Sequence, residues 1–161
     1  MTERTVVHTT FVIDRHYPAT PKRVFAAFAD KTKKRRWCVE GEGFTIEEFE
    51  MDFRVGGIER SRFRFEGGPA IVCDAMYQDI VPDKRIVFVY TMTADDKRMS
   101  SSLTTIELLP AGEGTSLIFT EQGAFFDGAD GHPAAAGWSA KEREHGSRGL
   151  LEQLAKELTN A

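Results

Sequence analysis

Two carboxylates stand among aromatic side chains at the two-residue spacing of a β-strand. Over residues 58–65, Glu59, Ser61, Phe63 and Phe65 share one face, while Ile58, Arg60, Arg62 and Arg64 share the other. The phenylalanines mark the first face as interior, which puts Glu59 inside with them. In the last apolar run, residues 115–122, Leu117, Phe119 and Glu121 lie together in the same way. Between these runs, Cys73, Ala75 and Tyr77 share a face, as do Ile86, Phe88, Tyr90 and Met92. A buried carboxylate is costly unless it is paired and hydrogen-bonded. The available cation is Arg143, so a pair with Glu59 or with Glu121 is expected. Arg143, Glu59, Glu121, Tyr77, Tyr90 and Ser147 would then form a polar cluster at one end of an apolar pocket walled by Phe63, Phe88 and Phe119. Such a cluster would orient the polar end of a ligand, or exchange protons with it if a reaction occurs. A purely structural ion pair is the other reading of the same residues.

Other chemistries find little support. The histidines at 8, 16, 132 and 145 show no metal-ligand spacing, and neither Cys38 nor Cys73 supplies one, so no metal site is expected. Residues 127–131 (DGADG) lack the later acidic positions of a calcium loop. No G-x-S-x-G elbow, phosphate-binding glycine loop or dinucleotide motif occurs, and no cofactor is expected. The run Lys31-Thr32-Lys33-Lys34-Arg35-Arg36 reads as a solvated helix at the pocket rim, or as a contact for phosphate or anionic lipid. Arg60, Arg62 and Arg64 read as solubilising charge on an open sheet face. The net charge of −4 argues against a nucleic-acid partner. No apolar run reaches the length of a membrane span, and the N-terminus lacks the apolar core of a signal peptide. A cytoplasmic protein with reduced thiols is expected.

The elements that position these residues follow from periodicity and punctuation. Residues 5–17 read as a first strand. Thr20-Pro21 opens a short helix carrying Val24, Phe25 and Phe28, with the cap and first-turn proline that helices favour. Asp30 and Thr32 offer a cap for a second helix running towards Trp37. Six strands follow over residues 44–54, 58–65, 71–81, 85–93, 99–109 and 115–122, separated by Gly and Pro turns and, after the fourth of them, by Asp95-Asp96. Turns this short make successive strands antiparallel. Residues 123–133 form a glycine-rich loop in which Phe125 and Phe126 either plug a lid or anchor to the core. A long helix over residues 134–158 closes the chain. Ala136, Ala140, Arg143, Ser147, Leu150, Leu151, Leu154 and Leu158 fall on one arc of it. The leucines pack; the small and polar first half leaves space beneath the helix. The fold class is α+β, a single antiparallel sheet with a helix packed on it.

The motif order resembles the START-like, or SRPBCC (helix-grip), superfamily. Carrying the resemblance are Ala19-Thr20-Pro21 with Val24-Phe25, Trp37, the Asp52–Gly57 turn (DFRVGG), Asp79–Ile86 (DIVPDKRI), Gly114–Leu117 and Leu150–Leu154. Within it, the chain is most similar to the branch named for a heat-shock ATPase activator. The branch commonly places Gly-Trp in the last helix; here Gly146-Ser147 stands there, with Trp138 nearby. The resemblance implies a curved seven-stranded sheet gripping the C-terminal helix around a cavity, as one START-like domain spanning the chain. Its implied function is binding of a small hydrophobic or amphipathic molecule. The superfamily also contains cyclases, dehydratases and hydrolases, and the branch name suggests a module acting on a chaperone ATPase. A homodimer is compatible with the size.

Overall fold

The computed structural model describes residues 5–126 and 140–160. Strand β1 (Val6–Tyr17) is followed by helix α1 (Pro21–Ala29), one turn of helix α2 (Lys31–Lys34) and a π-helical turn (Arg35–Val39). Strands β2 (Phe44–Met51), β3 (Ile58–Phe65), β4 (Ala70–Val81), β5 (Arg85–Ala94), β6 (Lys97–Ala111) and β7 (Gly114–Phe126) come next, and helix α3 (Ala140–Thr159) ends the fold. All seven strands form one antiparallel sheet in the order β1-β7-β6-β5-β4-β3-β2. The consecutive hairpins β2 to β7 need only tight turns, and β1 then pairs with β7 to complete the sheet.

Local chemistry sets the joints. The Thr20 side chain accepts a hydrogen bond from the Arg23 amide at 3.3 Å, with Pro21 at the first helical position. Asp30 does the same for Lys33 at 2.9 Å. Gly56 takes φ +83°, a conformation that a side chain disfavours. At Gly57 an added Cβ would lie 2.0 Å from the Asp52 carbonyl oxygen, so the β2–β3 turn closes only over glycine. Bulges at Ile46/Glu48, Tyr77/Asp79 and Met92/Thr93 add twist, which curves the sheet around its concave face.

Helix α3 grips that face by its second half. Leu151, Leu154 and Leu158 are buried with Ile13, Tyr17, Val24, Phe28, Ile86, Ile106 and Leu117. Each buried leucine contributes about 2 kcal/mol of apolar transfer. The Tyr17 hydroxyl donates to the Leu151 carbonyl at 2.9 Å, tying β1 to α3. Arg23 donates to the Leu158 carbonyl at 2.6 Å and Arg36 pairs with Glu157, so the small helices hold the far end of α3. The Trp37 indole donates to the Ala27 carbonyl at 2.8 Å and meets Phe28 edge-on.

Several sequence expectations are refined. Leu150 is 40% exposed, at the edge of the buried stripe rather than on it. Strand β7 runs four residues past Gln122, so Phe125 and Phe126 are strand residues. Phe125 is buried with Ile71, Ala94 and Met99 and is no lid plug. The expected start of the last helix, with Ala136 and Trp138, and the loop 127–133 with His132 lie outside the described residues. Among the described residues, no helix is long and apolar enough to cross a membrane.

Candidate functional site

Strand alternation places the predicted residues on the concave face. Glu59 and Phe63 on β3, Tyr77 on β4, Phe88 and Tyr90 on β5, and Phe119 and Glu121 on β7 all point inward; Arg143 meets Tyr90 and Glu121 from α3, and Ser147, one turn further along that helix, is buried on the same side. The polar members divide into two clusters along the inner face.

The first cluster is built on Arg143. Its side chain is 6% exposed and that of its partner Glu121 only 1%. One Nη donates to the Tyr90 hydroxyl at 2.8 Å and to Glu121 at 3.2 Å; the other donates to the Ser100 hydroxyl at 2.7 Å. Tyr90 donates to both Glu121 oxygens at 2.9 Å, and Ser102 donates to one of them at 2.9 Å. The guanidinium also stacks over the rings of Tyr90 (5.4 Å) and Phe125 (5.1 Å). Its third nitrogen, Nε, is buried and finds no hydrogen-bond partner among the described residues, and the same holds for the Thr104 hydroxyl. Thr104 stands directly across from Glu121 on the neighbouring strand. Arg143 thus pairs with Glu121 and not with Glu59.

The second cluster separates Glu59 from Arg143, which corrects the single cluster expected from the sequence. Lys34 reaches Glu59 at 2.7 Å, and Tyr77 donates to the same oxygen at 2.5 Å. The Lys34 ammonium lies 6.0 Å or less from the ring centroids of Phe28, Tyr77 and Phe88. This lysine belongs to the basic run read as a solvated helix; its neighbours are exposed or half-buried, but Lys34 is buried. The signal was present in the spacing. Lys34 stands three residues before Trp37 and four before Cys38, on the helical face that turns inward. Ser100 and Ser102 are buried members of the Arg143 cluster, and Ile106, Thr104, Ser102 and Ser100 continue one period-two face that marks them in the sequence.

Phe88 bridges the clusters, with its ring 5.9 Å from that of Tyr90 and 6.2 Å from that of Tyr77. Helix α3 packs on β1, α1 and the π turn. Over the other half of the sheet, the inward-facing Ser61, Phe63, Cys73, Phe88, Tyr90 and Met92 stay half-buried. Among the described residues, the concave face beside the two ion pairs is therefore largely apolar and half-buried. On the opposite, outer face, Arg60 pairs with Asp74 and Glu48, and Arg62 and Arg64 share Glu47. That stripe is neutralised charge, as its reading as a solubilising face requires.

The electrostatics follow from burial and pairing. Burial lowers the proton affinity of Lys34, but Glu59 and then Tyr77 more than offset it, and its pKa is raised overall. Arg143 is likewise raised, with Tyr90 and Glu121 overcoming its burial. Burial drives both Tyr77 and Tyr90 above their ordinary value, against the opposing pull of Lys34 and Arg143. It also pushes Cys38 up to about 11, Cys73 to about 12 and Tyr17 to about 12. Groups raised on folding contribute stability that is complete below their unfolded values and is lost as pH climbs through the folded ones. Melting temperature is therefore expected to hold up to about pH 9, the ordinary thiol value, and to fall between about 9 and 12. Circular-dichroism melts across that range test it, and a level melting temperature to pH 11 would contradict it. Among the described residues, no group of His, Cys, Asp and Glu is arranged to hold a metal ion.

Residues 18–159 match the family model described as Activator of Hsp90 ATPase homolog 1-like protein. A solved structure from Rhizobium loti is 58% identical, with 96% of this chain and 99% of that one aligned at a TM-score of 0.85. One from Rhizobium leguminosarum is 34% identical over 99% and 100% of the two chains, with a TM-score of 0.89. A third, from Chromobacterium violaceum, is 30% identical over 92% and 96%, with a TM-score of 0.72. No curated protein matches the chain significantly.

Proposed function

The chain belongs to the Activator of Hsp90 ATPase homolog 1-like family, within the SRPBCC fold, and we propose that it binds a small hydrophobic or amphipathic molecule. The site is the concave face between the sheet and α3. Phe63, Phe88 and Phe119 supply the apolar wall. Arg143, Glu121, Tyr90 and Ser147 stand at one end, and Glu59 with Tyr77 at the other.

The observation that carries this reading is the Nε of Arg143, a buried donor that finds no hydrogen-bond partner among the described residues, with the Thr104 hydroxyl in the same condition across the ladder from Glu121. Buried donors are nearly always satisfied, and an unpaired one costs about 1–3 kcal/mol. A ligand acceptor at that position removes the cost. The half-buried rings of Phe63 and Phe88 on the same face would pack against the remainder of the ligand. Binding is favoured over proton transfer because both carboxylates are engaged by cations and both tyrosines are held protonated well above neutral pH.

Native mass spectrometry of gently purified protein, followed by a thermal-shift screen of lipids and aromatic compounds, tests the reading. A ligand that binds only the folded state raises the melting temperature. The expected result is a carried molecule or a shift that is lost in Arg143→Lys, which keeps the cation but has no Nε. An empty protein with no shift across the library would reject it. The same spectra report whether the chain forms the homodimer compatible with its size.

A further inference from the structure

We infer that the polar end of the ligand is an uncharged hydrogen-bond acceptor, such as the carbonyl of an amide, ketone or ester, and not a carboxylate or phosphate. The inference rests on the binding reading above and narrows its ligand class.

It follows from counting charges and donors inside the fold. The two buried cations at the site are each matched by one carboxylate, Arg143 by Glu121 and Lys34 by Glu59. Tyr77 and Tyr90 donate to those carboxylates as neutral phenols. Each cluster therefore sums to zero before any ligand arrives. An entering anion would give up its hydration and find no unspent positive charge among the described residues of the two clusters. It would also sit against Glu121, which is 1% exposed and so poorly screened by water. Glu121 already occupies the place that a ligand carboxylate takes beside an arginine in an anion site. It accepts from Arg143, Tyr90 and Ser102 together.

What the clusters leave over is hydrogen-bonding capacity without net charge, since the guanidinium's charge is already matched by Glu121. Arg143 Nε is one such donor, and the Thr104 hydroxyl, across the ladder from Glu121, is the other. A carbonyl oxygen carries two lone pairs and no charge, which suits one or both of these groups. The guanidinium stacked on Tyr90 and Phe125 is held from re-orienting, so its free N–H keeps a fixed direction. A saturated hydrocarbon would leave both donors unmet, which is why the polar end is required at all.

Matched probes that differ only in charge test this: 2-naphthylacetamide against 2-naphthylacetate, and decanamide against decanoate, at pH 7.5, where the acids are ionised. Thermal shift and isothermal titration calorimetry give the readout. The amide of each pair is expected to bind at least tenfold more tightly than its acid. In Glu121→Gln, which keeps the side-chain shape and removes the charge, Arg143 becomes an unmatched cation and the preference should invert. Acids binding wild type as tightly as their amides would overturn the inference while leaving the binding site standing. No response to either member of either pair would reject the site and the inference together. If Glu121→Gln does not fold, the wild-type comparison alone decides.

Discussion

Arg143→Met is expected to lower the free energy of unfolding by about 3–5 kcal/mol, the usual cost of stranding one partner of a buried ion pair. Native domains hold only about 5–15 kcal/mol in total, so this variant should unfold at markedly lower urea concentration. The cost arises from what remains behind. Glu121, 1% exposed, keeps Tyr90 and Ser102 as donors but loses its cation, and Ser100 loses the guanidinium it accepts from. The pair itself is worth far less than that figure, because two charges had to be taken out of water to form it. The double variant Arg143→Met/Glu121→Leu should therefore recover most of the loss, to within about 2 kcal/mol of wild type, with the serine and tyrosine hydroxyls accounting for the remainder. Urea titrations followed by tryptophan fluorescence give all four corners of the cycle. An Arg143→Met variant within 1 kcal/mol of wild type would mean that Glu121 is not held as the geometry indicates. By contrast, Arg62→Ala on the outer face, where the Arg62–Glu47 pair is about one third exposed, should cost under about 1 kcal/mol and respond to salt.

The inner residues were legible because a strand assigns faces two residues at a time. Aromatic neighbours identify the inward set, so Glu59, Tyr77, Tyr90 and Glu121 could be placed from their spacing alone. Helix periodicity did the same for Arg143 and Ser147. The antiparallel succession from β2 to β7 follows from turn chemistry, since glycine or proline separates every hairpin but one and Asp95-Asp96, both at positive φ, turns the other. The pairing of β1 with β7 has no such local signal. What spacing could not supply was partnership. Whether Arg143 meets Glu59 or Glu121 depends on where α3 crosses the sheet, a property of tertiary packing that no local pattern encodes. Lys34 was lost for a different reason. Its charged neighbours set the character of the run, and net charge hides a single inward position even where Trp37 and Cys38 mark the face. Gly123 reads as punctuation and so hides the last four residues of strand β7. In the sheet an added Cβ at that position would lie 2.9 Å from the Phe125 ring and 3.1 Å from the Ser102 hydroxyl, so glycine serves packing there and not a turn.

Lys34 also carries the second large expected effect. Lys34→Met should cost about 2–3 kcal/mol at pH 7, less than the Arg143 change because the Glu59 side chain keeps 17% of its exposure and some access to water. Methionine fills the space among Phe28, Tyr77 and Phe88 that the lysine stem occupies, so the loss reports charge rather than volume. The pH dependence separates this ion pair from simple packing. The Lys34 pKa is raised above its ordinary 10.5 on folding, so its contribution is complete below that value and disappears only as pH rises through the folded one. The gap between Lys34→Met and wild type should therefore stay constant from neutral pH to about 10 and close above it, whereas a packing defect would persist at every pH. Adding Glu59→Gln to Lys34→Met should restore most of the loss at pH 7, since the remaining amide still accepts from Tyr77. A gap unchanged at high pH, or no recovery in the double variant, would remove the ion pair from the account of how α2 is held to the sheet. The consequence reaches the concave face. The Lys34–Glu59 contact joins the small helices to β3 and sets the position of Tyr77 beside Phe88, so its loss should also weaken any ligand response that survives unfolding.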